Sequence, residues 1–197
     1  MNKSKLFALA LVSIFVFSLS IPAFADVILG VEFLEQFWND DTCGKGSCGP
    51  ASIAMCNCYV LGRTPVTQDI INVWLFLGGD PNGNDPAGTS LSQLVSASHE
   101  WPFGVAAVYQ TTSTLAGVKS EIAAGNPVLV HVKAGYLSNR GYSYTGGHYI
   151  AAVGYNDDYL ICNDPGTWLG EHKYYSNADM TKAMKSKHNG VLKGFHQ

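Results

Sequence analysis

Residues 48–55 read Cys-Gly-Pro-Ala-Ser-Ile-Ala-Met and open an uncharged run that continues through Cys56-Asn57-Cys58-Tyr59-Val60-Leu61 to Gly62. Ala51, Met55 and Tyr59 recur at four-residue spacing, Pro50 falls where a first helical turn tolerates a missing N–H, and Gly62 follows as a stop. The stretch predicts a buried helix over 48–61 with a thiol at its first position, approached through the flexible Gly44-Lys45-Gly46-Ser47 segment. A helix start offers unsatisfied N–H groups and the positive end of the macrodipole, and both favour the thiolate, which is the nucleophilic form of cysteine. Taken alone, Cys48 reads as readily as a buried or disulfide-bonded cysteine.

Downstream, residues 67–77 form a second helical pattern with Thr67 as cap and Gly78-Gly79 as stop, and 80–88 is a loop. Thr89 or Ser90 caps a third helix running to about His99. After Pro102 the period changes: a strand over 105–109, a helix over 113–124 ended by Gly125, and a strand over 128–132. A Gly/Ser/Tyr-rich loop over 135–147 leads to a hairpin, 148–155 and 159–163, around Asn156-Asp157-Asp158, and a closing helix spans 177–187. The class is α+β: a helical N-terminal part carrying the thiol at a helix start, packed on an antiparallel sheet.

Two further places bear on chemistry. Gly146-Gly147-His148-Tyr149-Ile150 sets a histidine at the mouth of an apolar strand, behind glycines that let another backbone approach. Asn163-Asp164-Pro165 sets a carboxylate where the next strand ends, since proline stops ladder pairing. By themselves these are a strand-edge histidine and a turn-capping Asx residue. A turn centred on Asp157 sets Asp164 opposite Ile150 and diagonal to His148 on one face; a two-residue turn at Asp157-Asp158 sets them on opposite faces. Pattern alone leaves both registers open.

Residues 1–25 have the parts of a secretory signal: Lys3 and Lys5, the apolar stretch from Leu6 to Leu19, and Ala23-Phe24-Ala25 as a small-x-small site. Cleavage after Ala25 is expected, with Pro22 and the small-residue end arguing against a retained membrane anchor. Removing those residues leaves about 170, the size of one domain over 26–197. The formal charge of −3 becomes more negative without Lys3 and Lys5, and no basic cluster remains to suggest nucleic acid as a partner. A secreted monomer is expected. Five cysteines is an odd number, so one thiol stays unpaired within a monomer. With Cys48 free, Cys43, Cys56, Cys58 and Cys162 have up to two bridges open to them, although Cys56 and Cys58 point to different sides of one helix and do not pair with each other. The spacing C-x4-C-x7-C-x-C lacks the paired knuckles of structural zinc sites, and no metal or organic cofactor is expected.

CGPASIAM, GGHYIAAVGY and NDPG, in that order, resemble the bacteriocin-processing (double-glycine leader) cysteine peptidases and their exported relatives, family thirty-nine of the papain-like clan. The likeness runs from Gln36 to about Trp168. It implies a papain-like fold with Cys48 as nucleophile, His148 as general base, Asp164 as orienting carboxylate, and an oxyanion-hole glutamine upstream. Gln36 is the glutamine preceding Cys48 in the mature part, but it stands twelve residues away, farther than the usual spacing, with Cys43 in between. No transporter domain is attached, so processing coupled to an exporter is not implied. The expected activity is hydrolysis of a peptide or protein substrate. Rival readings are a peptidoglycan amidase or endopeptidase acting on cell-wall peptide, a transferase, and a non-catalytic module using Tyr136, Tyr142, Tyr144 and Trp168 as a ligand platform.

Overall fold

The computed structural model describes residues 26–37, 46–79, 88–100, 102–110, 113–186 and 191–196. The signal-like segment, residues 80–87 of the loop expected over 80–88, and Cys43 lie outside the described residues. In chain order the elements are β1 (Val27–Ile28), α1 (Cys48–Val60), α2 (Thr67–Phe76), α3 (Leu91–His99), β2 (Ala106–Gln110), α4 (Leu115–Ala123), β3 (Val128–Lys133), a 3-10 turn (Ala134–Tyr136), β4 (Gly147–Tyr155), β5 (Tyr159–Asn163), β6 (Lys173–Ser176), α5 (Asn177–Lys185) and β7 (Val191–His196).

The sheet is antiparallel at every pairing, in the order β2-β7-β3-β4-β5-β6, with β1 added beside β4. Strand alternation gives each face its own core. Leu129, Tyr149, Ala151, Val153 and Ile161 pack with Ile53, Ala54 and Met55 of α1, Val73 of α2 and Leu94 of α3. Val130, Val132, Ile150, Ala152, Leu160, Cys162 and Tyr175 pack on the opposite side with Val118 and Ile122 of α4 and Met180, Ala183 and Met184 of α5. Helices on both faces explain why β4 is buried from His148 to Gly154 rather than alternating with polar residues.

Caps account for several element ends. Ser90 and Gln93 make a reciprocal capping box at α3 (3.2 and 2.8 Å), which selects Ser90 over Thr89. Thr114 caps α4 and Ser176 caps α5 through side-chain oxygens. At α2 the cap is Val66 rather than Thr67, because the Asp69 carboxylate reaches back to the Val66 N–H at 2.9 Å while Arg63 grips both its oxygens at 2.7 and 2.8 Å. That pair ties the end of α1 to the start of α2.

The β4–β5 hairpin uses both registers that the pattern left open. Near the turn, Asn156 N–H meets the Tyr159 carbonyl at 3.1 Å and Tyr155 faces Leu160, the pairing of the two-residue Asp157-Asp158 turn. A β-bulge at Val153 then shifts β4 by one residue, so that Ala152 faces Cys162 and Ala151 faces Asn163. Beyond the bulge, Asp164 falls diagonal to His148 on the α4–α5 face. β1 supports the bulge: Leu29 N–H donates to the Val153 carbonyl at 2.8 Å, and the Val27 carbonyl lies 2.5 Å from where a Cβ on Gly154 would sit. Glycine at 154 therefore lets the N-terminal strand approach closely.

Candidate active site

Cys48 is the first residue of α1, and the Ser47 side chain before it makes no cap hydrogen bond. The N-terminal N–H groups are thus not capped by that hydroxyl at the point where the thiol lies. The Cys48 sulfur is hydrogen-bonded by His148 and by the backbone N–H groups of Gly49 and Tyr149. His148, 4% exposed, is held on its other side by Asp164, with Nε2 2.7 Å from Oδ1. Since an ionised carboxylate only accepts, Nε2 carries the proton and Nδ1 is left for the sulfur. The run from thiol to imidazole to carboxylate is continuous. It joins the start of α1, the start of β4 and the residue after β5.

Asp164 is fully buried, and its oxygens take four donors. Oδ1 accepts from His148 and from Gly166 N–H at 2.9 Å; Oδ2 accepts from the Tyr142 hydroxyl at 2.9 Å and the Tyr175 hydroxyl at 2.5 Å. Burial by itself would raise this carboxyl, but the hydrogen bond and charge of His148, then the other donors, hold it below the ordinary aspartate value. At His148 burial pulls down, whereas hydrogen bonds to Asp164 and Cys48 outweigh it and raise the imidazole from 6.5 to about 10. At Cys48 burial, the largest influence, pushes up, and His148 with the two backbone donors brings the thiol net below its usual value. Both shifts run in the direction that favours a thiolate beside an imidazolium.

The other described thiols contrast with this. Cys56 and Cys162 are raised by burial, and Cys58 is pushed up to about 12 by burial and the Asp69 charge. Cys48, Cys56, Cys58 and Cys162 are all free thiols, so the bridges left open for Cys56, Cys58 and Cys162 do not form. The reason is placement: Cys56 and Cys58 lie on α1, two residues apart, in the core on one face of the sheet, and Cys162 is sealed in the core on the other. Among the described residues, no three His, Cys, Asp or Glu side chains gather to hold a metal ion, and no helix is long and apolar enough to cross a membrane.

Gln36, twelve residues before Cys48, is nonetheless buried in the same site, because its backbone N–H donates to the Pro165 carbonyl at 3.0 Å, next to Asp164. It lines, with Cys48, Phe37, Thr89, Tyr144 and His148, a cleft of about 720 Å³. The long spacing is closed through space. Tyr142 and Tyr144 line this cleft but Tyr136 and Trp168 do not, so the four aromatics expected as one platform are divided. Tyr142 turns its hydroxyl inward to Asp164 and its ring against His148, with centroids 5.3 Å apart. Tyr175, on β6, is the partner that the sequence does not signal; Lys173-Tyr174-Tyr175-Ser176 is too short to mark a strand.

The loop after Asp164 is closed by Gly170, whose carbonyl accepts the Asp164 N–H at 2.8 Å. A Cβ there would stand 1.8 Å from the Asp164 carbonyl oxygen and 2.7 Å from that of Thr167, both backbone atoms that cannot swing aside. Gly170→Ala is expected to cost about 1–3 kcal/mol in chemical denaturation and to displace Asp164 from His148. An unchanged denaturation midpoint would show that the loop has room to yield.

The family model described as Peptidase_C39-like matches residues 28–195. Among solved structures, a Bacillus anthracis protein provisionally assigned as a C39-like peptidase is similar at 17% identity and a TM-score of 0.63, covering 88% of this chain and 98% of that one. The peptidase domain of Streptococcus ComA, a bifunctional ABC transporter of a quorum-sensing pathway, is 16% identical with a TM-score of 0.57 over 84% and 98%. A double-glycine-motif protease from an AMS/PCAT transporter, solved with its leader peptide, is 16% identical with a TM-score of 0.52 over 85% and 92%. At such identities the structural likeness is one of fold, that of the papain-like C39 peptidases. No curated protein matches the chain significantly. The family model covers nearly all of the described chain, and on that match the protein belongs to the Peptidase_C39-like family.

Proposed function

We propose that the protein is an exported thiol peptidase in which Cys48 is the nucleophile, His148 the general base and acid, and Asp164 the orienting carboxylate. The observation that carries this reading is the hydrogen-bonded run from a half-buried Cys48 through buried His148 to buried Asp164 beside an open cleft. The Cys48 sulfur adds to a peptide carbonyl, and His148 gives its Nδ1 proton to the departing amine as the C–N bond breaks. The neutral imidazole then takes a proton from water, whose oxygen displaces the thioester sulfur and releases the acid. The Cys48 N–H and the Gln36 amide receive the tetrahedral oxyanion, a contact worth roughly 3 kcal/mol of barrier per donor. Membership of a peptidase family supports hydrolysis, and the fold shared with a protease solved with its leader peptide supports a peptide as substrate. Export rests on residues 1–25; the cut after Ala25 would fall beside Asp26, which is exposed.

Incubating the chain lacking residues 1–25 with a defined peptide mixture, and reading new termini by mass spectrometry, tests the reading. Cleavage that iodoacetamide abolishes is the result expected. Clearing of a cell-wall suspension with no peptide cleaved would move the assignment to a peptidoglycan amidase or endopeptidase, and binding without turnover to a non-catalytic module.

A further inference from the structure

We infer that Tyr142 and Tyr175 are positioning residues that fix the Asp164 carboxylate and drain part of its charge, so that it orients His148 without withholding the proton that His148 must give up. The inference rests on the thiol-peptidase reading and assigns a role to two side chains outside the Cys-His-Asp set. Both hydroxyls converge on Oδ2, the oxygen facing away from His148, at 2.9 and 2.5 Å. They come from separate elements: Tyr142 from the loop before β4, and Tyr175 from β6, where it faces Leu160 on the side of the sheet that carries Cys162.

The chemistry asks for such a device. A buried carboxylate with its whole charge 2.7 Å from Nε2 would stabilise the imidazolium so strongly that protonating the leaving amine would slow. Two neutral O–H donors spread that charge without adding a proton or a cation to the site. The other groups facing the pair are Cys48 from α1 and Cys162 from β5, with the Arg140 guanidinium 5.9 Å from the centre of the Tyr142 ring and His131 of β3 lining the same cleft. Oδ2 itself takes hydrogen bonds from the two tyrosine hydroxyls. Packing alone would explain tyrosine rings, but not two hydroxyls aimed at one carboxylate oxygen.

The test is the pH dependence of Cys48 alkylation by iodoacetate in the full chain lacking residues 1–25, with Tyr142→Phe and Tyr175→Phe beside the wild type. Iodoacetate is an anion, so its reaction rises as the thiolate forms and falls as the neighbouring imidazolium loses its proton. Each phenylalanine leaves more charge on Asp164, so the alkaline limb is expected to move up by about half a pH unit or more, and further in the double variant. A limb that stays in place or moves down in correctly folded variants overturns the inference, because a packing role changes stability and not that limb. Tyr142 lies at the cleft, so its variant decides the matter even if Tyr175→Phe, buried in the core, does not fold. A wild type without selective Cys48 alkylation would overturn the thiol-peptidase reading and this inference with it, an outcome distinct from a wild-type bell that the variants fail to shift.

Discussion

Cys48→Ala is expected to lower peptide turnover by about 10⁴-fold or more while leaving the fold in place. The sulfur would form the bond to the acyl group, and no other described thiol can stand in for it: Cys56, Cys58 and Cys162 are buried with raised pKa values. Structurally the change is mild. Cys48 is half-buried at the first position of α1, where alanine is a good helix former, and the helix is held by residues farther along such as Ile53, Ala54 and Met55. Turnover and the thermal melt measured on one preparation check this. Near wild-type turnover would remove Cys48 from the chemistry, and a collapsed melt would mean that its role is in packing.

His148→Ala is expected to cost about as much, and Asp164→Asn far less, about 10²-fold. Removing the imidazole takes away the group that moves the proton. In Asp164→Asn, Oδ1 can still accept from His148 Nε2 and from Gly166 N–H, while the new amide donates to the Tyr142 and Tyr175 hydroxyls, whose oxygens also accept. Geometry therefore survives and charge does not. His148 stands at about 10, raised in part by Asp164, so loss of the carboxylate charge must lower it. The thiolate–imidazolium pair, present once Cys48 has ionised, disappears as pH rises through that value, so activity in Asp164→Asn should fall away at a lower pH than in the wild type. Equal losses in the two variants, each with native circular dichroism, would mean that Asp164 does more than orient.

The thiol at a helix start, the histidine at a strand mouth and the carboxylate before proline are all legible in the chain, because each is a local pattern with a local physical reason. What ties them together is less legible. The hairpin turn alone puts His148 and Asp164 on opposite faces, and the Val153 bulge that corrects this is supported by β1, from the far end of the described chain, approaching Gly154. No pattern within residues 147–163 announces that contact. β7 is similarly hidden: Val191-Leu192-Lys193-Gly194-Phe195-His196 carries a glycine at φ 66° and no alternation, yet it sits between β2 and β3 inside the sheet. Gln36 shows the reverse case, a residue distant in sequence that the Pro165 carbonyl draws into the cleft. Long-range pairing, rather than propensity, fixed these features.

Brief treatment of the native chain lacking residues 1–25 with iodoacetamide near neutral pH, followed by mapping of the modified peptides, tests whether Cys48 is the nucleophile. Rapid alkylation is expected at Cys48, through its lowered pKa and place in the cleft, with Cys56, Cys58 and Cys162 unlabelled until the protein is unfolded. Slow, equal labelling of Cys48 and the buried cysteines, or a Cys48 that reacts only after unfolding, would contradict it.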